Sequence, residues 1–394
     1  MKTREQGSGL EREMTNLRQT AGSLLVVGLG GTELTGLERA WLKLVRPAGI
    51  ILFRRNIADA QQARALLKDA TALGAAHSFR CVDVEGGTVD RLRDALAAMP
   101  SAQAVARAAR NSAVPRSQNR DLGHPMSLAR EHGELVARAV QAFGFNTTLA
   151  PVLDLGLAAS AQVMGTRTAA ETAAGVVAYG RAFLAGLKAQ GVVGCGKHFP
   201  GLGAGTLDSH LETPEIHRTL RAMNRQDLVP YRELREELPM IMVNHAAYPE
   251  TPGKDRPASA SPFWITTVLR KRIGYRGIVF SDDLEMGGIL KFLPIEEAAV
   301  AAVRAGMDLL EICHSPELIL RAYEALLAEG ERSAAFRALL VTRARQTARQ
   351  RARLLAGGVP RALTEKQFEA LQTRILRFAE TIAKAQPAAE GQPA

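Results

Sequence analysis

The chain has 394 residues, 46% apolar and 23% charged, the balance of a water-soluble globular protein. Its formal net charge of +10 permits contact with anionic surfaces without requiring it. No apolar run approaches the ~18 residues a membrane helix needs, and Cys81, Cys195 and Cys313 fall in no ligand spacing, which argues against a disulfide or zinc scaffold and for a reducing, cytoplasmic setting.

Residues 1–20 form a charged N-terminal segment without an apolar h-region, so no standard signal peptide is expected. Short apolar runs then alternate with helical periodicity. Strands are predicted at Leu24–Gly28, Ile50–Phe53 and Ser78–Asp83, with a helix over Asp59–Leu73. A proline-containing insertion, Asp90–Leu128, precedes a helix over Ser127–Phe143 and a strand over Thr148–Leu153. A helix over Ala170–Gln190, a strand at Val192–Gly196 and a helix over Arg218–Glu236 follow. The last three strands are Met240–Asn244, Gly277–Ser281 and Asp308–Cys313, with helices over Ile295–Ala305 and Pro316–Leu327. Residues 331–385 read as amphipathic helices broken at Gly357–Pro360, and Gln386–Ala394 as a frayed tail.

Continuous apolar strands separated by helices imply βαβ units and a parallel sheet. Eight such units fit a (β/α)8 TIM-type barrel over residues 21–330 with a helical C-terminal extension over 331–394. An open doubly wound sheet is the alternative.

A barrel of this kind carries its chemistry at the carboxyl ends of its strands. Here the third run meets Asp83-Val84-Glu85-Gly86-Gly87, the fifth Lys197-His198, the sixth Asn244-His245 and the seventh Asp282-Asp283. A single acid at such a place can be a helix cap; several in register point to a site. Lys197–Pro214 is rich in glycine and proline and contains Asp208-Ser209-His210. A carboxylate two residues before an imidazole can fix its tautomer and raise its basicity, as a general acid/base needs, although such triplets also occur in surface turns. Asp282, ending a buried run, is either an N-cap or a carboxylate nucleophile able to trap a sugar cation as an ester.

The combination of KHFPG with DSH, DxEGG with a following arginine, and FSDD at a strand end resembles glycoside hydrolase family 3, in its single-domain β-N-acetylhexosaminidase branch, over residues 24–320. The resemblance implies that Asp282 is the nucleophile and His210, paired with Asp208, the acid/base. It implies sugar contacts from Asp83, Arg91, Arg167, Lys197 and His198, with Met286 lining an acetamido pocket. The activity implied is retaining, exo-acting removal of N-acetylglucosamine from a carbohydrate substrate such as a muropeptide, with no cofactor and no metal. Leu202 and Thr88 depart from the family's usual histidine and arginine.

Other readings remain at this stage. A β-glucosidase-type or phosphorolytic member of the family would share these motifs. A metal-dependent barrel hydrolase would gather His198, His210, His245 and Asp282 as ligands. Gly28-Leu29-Gly30-Gly31 superficially resembles a dinucleotide loop but lacks its glycine spacing. The arginines from Arg337 to Arg353 lack interleaved aromatic residues, so no nucleic-acid partner is expected.

Overall fold

The computed structural model describes residues 17–111, 126–205 and 213–385. Eight parallel strands close into a barrel: β1 Leu25–Val27, β2 Gly49–Leu52, β3 Phe79–Val82, β4 Thr147–Thr148, β5 Val193–Phe199, β6 Met240–Val243, β7 Ile278–Asp283 and β8 Leu309–Ile312. The strands neighbour one another in chain order, and β8 closes onto β1 through Leu25 opposite Leu310. The open-sheet alternative is thereby set aside. A small hairpin, Val84–Gly86 with Val89–Asp90, leaves the barrel directly after β3.

Side chains alternate across each strand, and the alternation sorts the core into two clusters. Val26, Ile51, Phe79, Cys81, Val193, Cys195, Met242, Phe280 and Leu309 fill the barrel interior. Residues of opposite parity, such as Leu25, Leu52, Val82 and Val279, pack outward against the helices. The outer layer is drawn tight where helices Met126–Ala142 and Ala173–Ala189 cross. A Cβ on Gly186 would lie 2.3 Å from the Arg130 carbonyl, and one on Gly133 2.2 Å from that of Phe183. Only glycine permits this approach.

Three differences from the sequence expectation bear on the elements around the mouth. The fourth apolar run leaves the sheet early: only Thr147 and Thr148 pair as strand, and Val152 returns through a single bridge to Lys197. In compensation β5 runs on to Phe199, so Lys197 and His198 are strand residues rather than loop residues. The helix expected over Arg218–Glu236 is two short ones, Leu220–Arg225 and Val229–Glu233, with Pro230 in the first turn of the second.

Helices Ala334–Leu354 and Glu365–Lys384 follow the barrel. The first carries the arginine-rich stretch, which divides by face: Arg343 and Arg351 turn inward, while Arg345, Arg349 and Arg353 are exposed. Arg343 reaches Asp308 at 3.3 Å, Arg351 donates to the Ala76 carbonyl, and Leu355 joins the interior cluster at the barrel's amino-terminal end. Among the described residues no helix is long and apolar enough to cross a membrane.

Candidate active site

The interior parity continues past the apolar core. Two residues beyond Cys81 stands Asp83, two beyond Cys195 is Lys197, two beyond Phe280 is Asp282 and two beyond Leu309 is Glu311. The strands therefore deliver four ionisable side chains to one carboxyl-terminal mouth, the end at which barrels of this class do chemistry.

Lys197 is the hub. Its Nζ lies 2.8 Å from Asp83 Oδ1 and 2.7 Å from Glu85 Oε1. Arg167 grips the same Glu85 as a fork, with Nε and Nη2 each 2.8 Å from a carboxylate oxygen, the strong bidentate arrangement. Arg91 approaches Asp83 at 3.7 Å. His198 Nδ1 sits 2.6 Å from Asp154 Oδ2, and its Nε2 lies 3.3 Å from Arg167 Nη2. The assignment satisfying both neighbours puts the proton on Nδ1 and leaves Nε2 to accept from Arg167. Asp154 also accepts from the backbone N–H of His198 and of Leu202. The Leu202 contact runs through the main chain, so a leucine side chain there leaves this anchor intact. The Lys197–His198 and Phe199–Pro200 peptide bonds are cis.

Burial alone would push the Asp83 and Glu85 carboxyls up. For Asp83, Lys197 and then Arg91 outweigh it and hold the group below its ordinary value. For Glu85, Arg167 and then Lys197 hold it far below. The cations answer in kind: burial would lower Lys197 and Arg167, but the facing carboxylates keep both above their usual values. An ammonium has three N–H donors, and two carboxylates take two of those on Lys197. Such a preorganised array of donors and acceptors suits a ligand dense in hydroxyl groups.

Asp282 stands at the rim, partly exposed, its Oδ1 accepting from the Asp283 N–H at 3.0 Å. Among the described residues no cation pairs with it. Asp283 turns away as strand alternation requires: its Oδ1 accepts from the Glu285 N–H and its carboxylate is 3.7 Å from His314 Nε2. Burial, then Glu285, raises the Asp283 carboxyl to about 7. Met286 is buried four residues beyond Asp282.

Asp208 and His210 lie outside the described residues. Their flanks do not. Thr213, three residues after His210, donates from Oγ1 to the Gly288 carbonyl at 2.8 Å, on the short helix Gly287–Leu290 that follows β7.

The structure thus brings Asp83, Arg91, Arg167, Lys197 and His198 into one network, with Asp282 near the end of β7 and Met286 just after that strand. Of the four ligands of the metal-dependent alternative, His210 lies outside the described residues, and the two described histidines are engaged with other groups. His198 is engaged by Asp154 and Arg167, and His245 by Ser259 Oγ at 2.7 Å and the Asp283 carbonyl at 2.9 Å. Asp283, Glu285 and His314 do come within metal-binding range. The Glu285 carboxylate, however, already accepts the N–H groups of Cys313, His314 and Ser315.

Three participants have no role in the sequence reading. Glu85 stands inside the DxEGG motif, yet its task as common partner of Arg167 and Lys197 depends on contacts 82 residues away. Asp154 directly follows an apolar run, and the strand-end rule that selects Asp83 could have found it. Glu311 is hidden within an apolar run and gives no local sign of facing the mouth.

The family described as "Glycosyl hydrolase family 3 N terminal domain" matches residues 10–343. The chain is similar to the Beta-hexosaminidase of Alkalilimnicola ehrlichii, 38% identical over 296 residues covering 75% of this chain and 82% of that one. It is likewise similar to the Beta-hexosaminidase of Stenotrophomonas maltophilia, 35% identical over 80% of this chain and 91% of the relative. Among solved structures, a glycoside hydrolase family 3 β-N-acetylglucosaminidase from Paenibacillus superposes with a TM-score of 0.79 at 30% identity, over 92% of this chain and 68% of that one. NagZ from Neisseria gonorrhoeae gives 0.73 at 27% identity, over 91% and 98%.

Proposed function

This chain belongs to glycoside hydrolase family 3, and from that premise we propose that it is a retaining exo-β-N-acetylhexosaminidase releasing terminal β-linked N-acetylglucosamine. The relatives named Beta-hexosaminidase support the activity. A related NagZ held in complex with N-trifluoroacetyl-D-glucosamine supports the sugar.

In the first step a carboxylate oxygen of Asp282 attacks the anomeric carbon, and the bond to the leaving oxygen breaks as His210 gives that oxygen its proton. In the second step His210 takes a proton from water, the water oxygen displaces Asp282, and the sugar leaves with its anomeric configuration retained. Asp208 orients the imidazole. Lys197, Asp83, Arg91, Arg167 and His198 hold the sugar's hydroxyl groups, and Met286 lines the acetamido pocket.

The observation that carries this reading is the common parity that sends Asp83, Lys197 and Asp282 to one mouth above one apolar core. The acid/base role is supported by reach: three residues span at most about 10 Å, and Thr213 is fastened to the short helix Gly287–Leu290 that follows β7. Asp282→Ala is expected to abolish release of the aryl group from an aryl N-acetyl-β-glucosaminide, with wild-type binding of the free sugar. A variant that still turns over at the wild-type rate ends the proposal. Preference for an aryl glucoside, or a sugar 1-phosphate product in phosphate buffer, would move the chain to another branch of the family.

We further place its substrates among N-acetylglucosamine-terminated muropeptides, handled in the cytoplasm. The three cysteines, free and buried, support a reducing compartment.

A further inference from the structure

The amino-terminal end of the barrel, opposite the mouth, carries a cavity that the chemistry above does not use. It holds about 550 Å³ and lies where the chain enters β2 and β3, beside the end of the arginine-rich helix. That volume falls within the ~300–1,000 Å³ of small-molecule sites. Its lining joins the basic side chains of Arg46, Lys68, His77 and Arg80 to the apolar ones of Leu355 and Val359. Among the described residues no Asp or Glu lines it.

The charge gathered here has no answer within the described chain. Arg80, on β3, spends Nη2 on the Thr71 hydroxyl at 2.8 Å. The charge nearest to bear on it is another cation, Arg64, itself held by the carbonyls of Gln141, Ala142 and Pro360. Arg351 is only 4% exposed. Its Nε donates at 3.1 Å to the carbonyl of Ala76, a lining residue, while its buried Nη1 meets no partner. Burial pulls both guanidinium groups below their ordinary values, Arg351 to about 10, and no carboxylate opposes it. A buried cation without a counter-charge is costly, and a bound anion would supply one.

The backbone marks the same place. Both described non-glycine residues with positive φ, Arg46 at 54° and His77 at 53°, line this cavity. At Arg46 the left-handed turn closes helix Gly36–Val45. His77 stands six residues past the end of helix Ala60–Thr71, so no helix end accounts for it. Such backbone persists where its surroundings over-determine it, and it clusters at ligand sites.

We propose that this cavity binds a small phosphate ester with at least two negative charges, its phosphate among Arg46, Lys68, His77 and Arg80 and its organic part against Leu355 and Val359. Arginine offers a phosphate its planar fork and lysine a point charge. Several cations without an interspersed acid call for more than one negative charge on the ligand. The site goes beyond the glycosidase reading and stands independently of it, at the other end of the barrel.

The test titrates inorganic pyrophosphate into the full chain by calorimetry, with malonate in parallel, at about 0.15 M salt to screen exposed charges. Saturable binding of pyrophosphate, tighter than that of malonate, is expected, together with a rise in melting temperature. Lys68→Ala, at an exposed position, and Arg80→Met, which keeps the aliphatic stem, should each weaken that binding about tenfold. Turnover of an aryl N-acetyl-β-glucosaminide stays at its wild-type value in both. Four outcomes overturn the inference: no saturable binding, malonate bound as tightly, wild-type affinity in either variant, or displacement of the anion by N-acetylglucosamine, which would place it in the mouth. None of them touches the glycosidase reading.

Discussion

Glu311 and Glu85 face the same mouth, both almost wholly buried, and their carboxyls behave in opposite ways. Glu85 has Arg167 and Lys197 within 2.8 Å. Among the described residues Glu311 has no ion pair, and its carboxylate oxygen meets only the Cys313 thiol at 3.5 Å. Burial first, then Asp283, Asp83 and Asp282, raises Glu311 well above its ordinary value, with Lys197 opposing. A carboxyl raised in the folded state binds a proton that the unfolded chain has released, so stability falls as pH climbs above the unfolded value of about 4.5. Glu311→Gln removes that penalty. The variant should melt with the wild type near pH 4 and above it by a margin that widens from about pH 5 upward. Thermal scans across this range check it. A constant difference at every pH would mean that the group does not titrate as its surroundings require.

At the scale of elements, the pairing of helices Met126–Ala142 and Ala173–Ala189 shows how close approach and intrinsic propensity compete. Alanine in place of a mid-helix glycine gains about 1 kcal/mol of helix propensity. At Gly186 the added methyl would sit 2.3 Å from the Arg130 carbonyl oxygen and 2.7 Å from the Glu134 nitrogen, both backbone atoms that cannot rotate away. Forcing such helices apart costs about 1–3 kcal/mol. Gly186→Ala is therefore expected to destabilise on balance, read as a lower urea midpoint with an unchanged slope. A stabilised variant would show that the crossing can relax. The strand ends illustrate a related point: Lys197 and His198 occupy strand positions because β5 outruns its apolar stretch, pairing Phe199 with Val243.

Considered whole, the molecule separates stability from chemistry along the barrel axis. At the amino-terminal end Asp308 accepts from the Val279 N–H, pairs with Arg270 and meets Arg343 of the arginine-rich helix. Removing the shared carboxylate strands two largely buried guanidinium groups, a loss of about 3–5 kcal/mol. Asp308→Ala should therefore lower the denaturation midpoint sharply while KM for an aryl glycoside stays at its wild-type value wherever the protein remains folded. A raised KM with unchanged stability would contradict the division between the two ends.

The sequence by itself determined the eight strands, the parallel order they imply and the strand ends at which ionisable residues gather. Each of these is written in neighbouring residues: apolar runs of strand length, helical periodicity between them, and an acid or base where a run stops. Tertiary structure alone decided who meets whom. Asp154 finds His198 across 44 residues, Glu85 finds Arg167 across 82, and Phe53 meets His314 only because β8 closes beside β1. Whether a buried carboxyl ionises depends on such partners, and closing the barrel is what brings them within ion-pair distance.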